Sequence, residues 1–490
     1  MTGTSLRSAY CVAALSVVAG CATVGGRGGG SPRASLRASI DSMVGTAAFR
    51  NAHWGILIVD VERGDTLYSR NAGKLFMPAS NMKLVTAAAA LAQLGADYRF
   101  RTVFSIGGEL RDGTLTGLIA VDGRGDPTMS AAAHGGDALA PFRDIADSLT
   151  ARGVKHFVGE IRAGHQFRDP AYGFGWSWDD LADDYSAGVA ELMFNEGSFR
   201  LIIGLDSAGH IETTVTPNVG YPSLAGGISA LDARDSARVE HVHVAPLALT
   251  GPMQYEGAMM RGRRDTLDVA FPDQRRAYLA ALEMALRARG ISVVPRESRA
   301  TYPLHEIFTY QSGALAELLP LMQKPSQNQI AEMFLRTIAL ERTGVGAADS
   351  GAAVIARQLV QWGASPDGYV LRDGSGLSRY DYLSPETIAR VLTAMRRHPA
   401  FPAYYAALPI AGVDGTIRNR MKGTPAQGNV HAKTGFVAQA RSLSGYVTTA
   451  DGRMLLFVAL CNNWTAPVRD VERVQDALAI RLATFSERRR

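Results

Sequence analysis

Lysine is scarce in this 490-residue chain: of 51 basic residues only Lys74, Lys83, Lys155, Lys324, Lys422 and Lys433 are not arginine. Where arginine is so strongly preferred, a lysine marks a place for an amine that can lose its proton, as a guanidinium does not. Cysteine is scarcer still. Cys11 falls in an N-terminal export segment, leaving Cys21 and Cys461, too few for a framework of several disulfides. Cys461 ends the apolar run that starts at Leu455 and reads as a small buried core residue. No apolar run reaches the ~18 to 20 residues of a membrane-spanning helix. The net charge is only +5 and the basic residues are scattered, so charge gives no ground for nucleic-acid binding. None of the ten histidines sits in a His-Glu-x-x-His site, and there is no Gly-x-Ser-x-Gly nucleophile elbow. No metal or cofactor is expected. With 47% apolar and 20% charged residues the chain buries a sizeable core, and at about 150 residues per domain it holds roughly three domains.

Residues 1–20 read as a signal peptide: Arg7 is its only charge, and Tyr10 to Val18 form its apolar stretch. It ends in Val18-Ala19-Gly20-Cys21, which resembles a bacterial lipoprotein signal, where the Cys becomes the lipidated first residue. Residues 21–35 are then lipidated Cys21 and a Gly-rich flexible linker. This predicts an exported protein of the periplasm or cell envelope, held at a membrane by a lipid anchor. An ordinary cleavable signal with Cys21 incidental is the alternative.

The apolar run Trp54 to Asp60 predicts a strand, returned as a hairpin by Thr66 to Ser69. An Ala-rich helical stretch follows Pro78. Between 99 and 299 short strand-like pieces alternate with Gly-Asp turns, with helices near 138–152 and 273–290 and a small β-rich region near 205–262. The chain turns helical again from about 312, then ends in two apolar strands and a terminal helix. Strands at both ends predict one domain, 36–98 joined to 300–486, split by domains inserted at 99–299.

Three short motifs carry chemistry. In Ser80-Asn-Met-Lys83, helical geometry sets a hydroxyl and an amine on one face, about 5 to 6 Å apart at Cβ. Ser80 also begins the helix, where free N–H groups favour developing negative charge. The same serine suits an N-cap. Ser326-Gln-Asn328 places a hydroxyl and a carboxamide between two helices, suited to proton relay and amide binding or simply to loop capping. Lys433-Thr434-Gly435 offers a cation and a hydroxyl to a carboxylate, with a glycine that admits a ligand to the backbone.

In this order the three motifs are the signature of active-site-serine penicillin-binding proteins and serine β-lactamases. The 246 residues from Ser80 to Ser326 are too many for a β-lactamase. Gly125-Asp-Pro-Thr128, Gly175-Trp-Ser-Trp-Asp-Asp180 and Asp373-Gly-Ser-Gly-Leu-Ser-Arg379 are present too. Over residues 36–485 the chain thus resembles the D-alanyl-D-alanine carboxypeptidase/endopeptidase family, the class C low-molecular-mass penicillin-binding proteins. The resemblance implies an α/β (α+β) fold: a transpeptidase-like domain with an antiparallel sheet flanked by helices and further domains between the first two motifs. It implies Ser80 as nucleophile, Lys83 as general base and Ser326 as proton donor to the leaving amine. Asn328 would hold the substrate amide, Lys433 and Thr434 its carboxylate, and the N–H groups of Ser80 and Phe436 the oxyanion. Asp180 and Tyr185 match positions that touch the substrate side chain. Peptidoglycan stem peptides and cross-bridges would be the substrates and β-lactams covalent inhibitors. Phe436 departs from the small or hydroxyl residue that usually follows Lys-Thr-Gly. A β-lactamase or esterase on the same fold, or a non-catalytic peptidoglycan-binding lipoprotein, are the rival readings.

Overall fold

The computed structural model describes residues 31–245, 251–297 and 301–488; the signal peptide, Cys21 and most of the linker lie outside them. The first helix starts at Pro32, inside the stretch expected to be linker. Ser31 Oγ accepts from the Ala34 N–H at 3.2 Å, and proline suits the first helical turn, so the boundary moves forward.

One five-stranded sheet joins the two ends of the chain, in the order His431–Val437, Ala440–Thr448, Met454–Asn462, His53–Asp60, Thr66–Arg70. All its pairs are antiparallel, with His53 opposite Asn462 and Asp60 opposite Leu455. The period of two in a strand sends alternate residues to opposite faces. Leu455 and Phe457 pack with Ile56 and Ile58 beneath the helices Pro32–Val44 and Val468–Ala483. Leu456, Val458 and Leu460 pack on the other face, against Met82–Leu94, Leu315–Gln323 and Pro385–Arg397. The helix Met82–Leu94 is the central rod of that second layer, buried without interruption from Met82 to Leu91. Its fully buried Ala87 to Ala90 let neighbours approach closely; larger side chains there would overpack the layer at about 1–3 kcal/mol each.

The intervening segment builds a second five-stranded sheet, ordered Ser292–Pro295, His156–Ala163, Thr114–Gly123, Arg99–Arg111, His305–Ala314. The helices Ala140–Ala151 and Gln274–Ala288 cover it through Phe142, Ile145, Tyr278 and Leu282. His305–Ala314 pairs with Arg99–Arg111, Thr309 opposite Val103, so this sheet runs past residue 299 and the helical return begins at Leu315. Two three-stranded sheets lie between, one of Leu224–Leu231, Met253–Met260 and Glu240–Val244, the other of Arg264–Ala270, Ser198–Leu205 and Ile211–Thr216. Among the described residues no helix is long and apolar enough to cross a membrane. Cys461 lies fully buried in the core below the first sheet.

Candidate active site

Ser80 does not open the α-helix directly: it sits in a 3-10 turn, Ala79–Asn81, that leads into Met82–Leu94. Ala79 holds φ +47°, a left-handed backbone that costs a non-glycine residue about 1–3 kcal/mol and persists only where packing enforces it. Two glycines do the enforcing. A Cβ on Gly435 would lie 2.8 Å from the Pro78 carbonyl oxygen and 2.9 Å from the Ser80 nitrogen, and one on Gly376 would lie 1.9 Å from the Ala79 carbonyl oxygen. The turn is thus gripped between the edge strand His431–Val437 and the loop around Gly376. Asn81 Nδ2 donates to the Lys433 carbonyl at 2.8 Å, and Ser442 Oγ to the Pro78 carbonyl at 2.8 Å, tying the turn to the sheet.

Lys83, one helical turn on, is fully buried with its Nζ 3.0 Å from Ser80 Oγ. Nζ also donates to Asn328 Oδ1 at 2.5 Å and to the Ser375 carbonyl at 2.8 Å. Burial lowers its pKa from 10.5 to about 7, while Asp373 and Glu332 pull the other way. Desolvation is therefore the agent, ahead of any neighbouring cation. Ser326 follows Pro325 at φ +70°, and its Oγ accepts from Lys433 Nζ at 2.8 Å. Lys433 is buried too, and burial, then the charge of Lys83, holds its pKa well below the usual lysine range. Asn328 opens the helix Asn328–Thr343, and its Nδ2 donates to the Tyr185 carbonyl at 2.7 Å. Two buried amines thus each meet one serine hydroxyl, Lys83 that of Ser80 and Lys433 that of Ser326.

Thr434 Oγ1 donates to Thr416 Oγ1 at 2.7 Å, and Phe436 stands 58% exposed at the strand edge. Asp180 carries the Tyr185 hydroxyl on one oxygen at 3.1 Å and Arg379 on the other at 3.5 Å. All of these border one cleft of about 550 Å³ that Ser80 opens into. The site residues predicted from the sequence therefore share one neighbourhood, apart from Cys21, which lies outside the described residues.

What sequence reasoning missed lies beneath Lys83. Glu332 is fully buried; its Oε1 accepts from the Gly374 and Ser375 N–H groups at 2.9 and 2.8 Å, and its Oε2 from Arg336 at 2.8 Å. Asp373 Oδ1 accepts from the Gly376 N–H at 2.7 Å and Oδ2 from Ser378 N–H at 2.7 Å and Trp176 Nε1 at 3.0 Å. Together they shape the loop that aims the Ser375 carbonyl at Lys83. The signal was available: Glu332 stands four residues after Asn328, on the same helix face. Among the described residues no group of three His, Cys, Asp or Glu side chains is gathered for a metal.

Comparison with known proteins places the chain in a family. A model of the D-Ala-D-Ala carboxypeptidase 3 (S13) family matches residues 36–485. The chain is 34% identical to a D-alanyl-D-alanine carboxypeptidase of Actinomadura sp., over 93% of this chain and 86% of that protein. It is 25% identical to the D-alanyl-D-alanine carboxypeptidase DacB of Haemophilus influenzae, over 84% of this chain and 85% of the other. The crystal structure of penicillin binding protein 4 from Haemophilus influenzae superposes with a TM-score of 0.80 at 23% identity, covering 91% of this chain and 99% of that one. With a serine and a buried amine at its centre and the family model matching residues 36–485, the chain belongs to the D-Ala-D-Ala carboxypeptidase 3 (S13) family of serine-type peptidases.

Proposed function

We propose that this enzyme trims peptidoglycan by acyl transfer through Ser80. The observation that carries the reading is a fully buried Lys83 amine 3.0 Å from the Ser80 hydroxyl. With a pKa near 7, about half of it is uncharged at neutral pH and able to take the Ser80 proton. Ser80 Oγ then attacks the carbonyl between the two D-alanines. The N–H groups of Ser80 and Phe436 receive the developing oxyanion, a contribution of about 3 to 4 kcal/mol per donor. Ser326 delivers a proton to the leaving nitrogen and is reprotonated from the adjoining lysine, Lys433 standing 2.8 Å away. The terminal D-Ala departs, and water attacks the acyl-enzyme, giving its proton through Ser326 back to Lys433, while Lys83 returns the proton it took to Ser80 Oγ as the acyl bond breaks.

Asn328 holds the amide of the bound peptide, and Lys433 with Thr434 holds its terminal carboxylate, whose charge favours the ammonium form of Lys433. Asp180 and Tyr185 border the same cleft and face the side chain on the acyl side, where Asp180 can exchange Arg379 for a substrate ammonium. A cross-bridge amide in place of D-Ala-D-Ala turns the same steps into endopeptidase chemistry. A β-lactam acylates Ser80 and stays. Cys21 is the lipidated residue, so the enzyme works from a membrane anchor in the cell envelope; incorporation of labelled palmitate into wild type and its loss in Cys21→Ala tests this.

The decisive experiment pairs two readouts on the purified protein: release of D-Ala from a pentapeptide ending in D-Ala-D-Ala, and covalent labelling by a fluorescent penicillin. Both should be present in wild type and abolished in Ser80→Ala. Labelling or D-Ala release that survives the substitution refutes the assignment.

A further inference from the structure

The cleft continues beyond the groups used above. Past Thr434 its wall is formed by Thr416, Arg420, Phe436, Arg441 and Glu472. In that wall only the Phe436 N–H has been given a task. The strand register sets Arg441 directly opposite Phe436, one pair beyond Gly435 and Ser442, where the sheet touches the Ser80 turn. The Arg441 guanidinium carbon lies 3.7 Å from the centre of the Phe436 ring. Such stacking fixes the plane of a guanidinium and leaves its N–H edge available.

That edge is under-used. A guanidinium carries five N–H donors, yet the Arg441 Nε is buried with no hydrogen-bond partner. That enclosed Nε is out of a ligand's reach, and one terminal nitrogen meets Glu472 at 3.3 Å; the side chain is 17% exposed and borders the cleft, so it is the outer edge of the guanidinium that can meet a ligand there. Arg420 next to it is differently placed: it is engaged by Asp476 at 2.8 Å, the Glu472 carbonyl at 3.2 Å and Gln475 at 3.4 Å. Burial, partly offset by Glu472, and then the like charge of Arg420 lower the Arg441 pKa, conditions that a further negative charge would relieve.

We propose that Arg441, held flat against Phe436, is a further carboxylate-binding residue, beside Lys433 and Thr434, of a leaving-group subsite in this cleft. The inference rests on the Ser80 acyl-transfer reading, because it places the leaving amine on the far side of the oxyanion N–H of Phe436. A leaving D-alanine carries one carboxylate, next to the nitrogen that departs. The leaving half of a cross-bridge carries that carboxylate and, on its own stem, a second and more distant one. Both sources present the same chemistry to a planar two-pronged donor.

Steady-state hydrolysis of a D-Ala-D-Ala pentapeptide and of a cross-linked muropeptide dimer by the full mature protein separates them. Arg441→Ala should raise KM about tenfold with kcat little changed for at least one substrate, with Arg441→Lys in between because it keeps charge but loses the planar fork. A rise for both substrates assigns the near carboxylate, and a rise for the dimer alone assigns the distant one. Unchanged KM for both, or a fall in kcat at constant KM, overturns the proposal. Should Arg441→Ala melt early, Arg441→Gln, which keeps a polar side chain but lacks the charge and the guanidinium, must show the same rise in KM. Wild-type labelling by penicillin is measured alongside: its absence refutes the Ser80 reading itself, whereas labelled wild type with unmoved KM in the variants refutes Arg441 alone.

Discussion

Replacing Glu332 by Gln should move the pH dependence of Ser80 acylation toward acid. Acylation needs the uncharged Lys83 amine, whose pKa burial lowers to about 7. The rate should therefore climb as pH rises through that value, and fall about 50-fold from pH 7 to pH 5 as the uncharged fraction drops from a half to about a hundredth. Glu332 and Asp373 oppose the effect of burial, since their charges favour the ammonium form. At an effective dielectric near 20, a carboxylate about 6 Å away contributes roughly 2–3 kcal/mol to that preference. Part of this is cancelled by Arg336, which Glu332 binds at 2.8 Å, so the net release expected is about one pH unit. The substitution keeps an oxygen for the Gly374 and Ser375 N–H groups, which limits the geometric damage, but it breaks a buried ion pair and should cost about 3 kcal/mol of stability. The assay is the rate of labelling by a fluorescent penicillin over a pH series, each variant normalised to its own alkaline plateau, with a urea melt to confirm folding. A limb that stays in place or moves to alkaline pH refutes the electrostatic argument, and a wild-type rate that is flat between about pH 5 and 7 refutes Lys83 as the base.

Gly435→Ala should cut acylation by about a hundredfold or more, because the new Cβ displaces the turn that carries Ser80 and a 1 Å misplacement costs that much; equal labelling rates would show that the turn is not gripped as described. Ser326→Ala should slow D-Ala release by about 10²- to 10⁴-fold, the range of a positioned proton donor, while leaving the melting temperature close to wild type. Asp180→Asn should raise KM for a stem peptide bearing a free side-chain amine about tenfold and leave the acetylated peptide unaffected; identical changes for both peptides would remove the ammonium from the account. Cys461, whose thiol burial pushes up to about 12, should resist thiol reagents in the native protein and react only on unfolding, followed by mass spectrometry.

The parts of this molecule that could be read in advance are those governed by local rules. The run Trp54 to Asp60 alternates over a strand because one face meets Phe457 and the other Leu456, and the same alternation at Met454–Asn462 made the two ends natural partners. Ser80 and Lys83 were legible because their separation is one helical turn, and the scarcity of lysine singled them out. Ser326, Asn328 and Lys433 were legible only as members of a known triple, since nothing local says that residues 107 and 245 positions apart in sequence will touch. The start of the helix at Pro32 and the strand His305–Ala314 were misplaced because both depend on partners: a serine cap in one case, and a pairing with Arg99–Arg111 across the inserted segment in the other.

The least legible feature has the most bearing on chemistry. Glu332 lies in the interior of a helix whose residues from Asn328 to Leu340 are all buried, where a carboxylate looks like an error in the hydrophobic pattern. Such a group survives in a core only if it is paired and hydrogen-bonded, and Glu332 is both, to Arg336 and to two backbone N–H groups. A buried acid that violates its helix pattern therefore points to something that needs it. Here the Ser375 carbonyl and Asn328 meet at the Lys83 amine, and Glu332 sets the first while sharing a helix with the second. The lysine must be dry enough to lose its proton and still keep three acceptors around it. That combination requires a polar floor built inside a hydrophobic layer, and the floor is assembled from residues that no single motif contains.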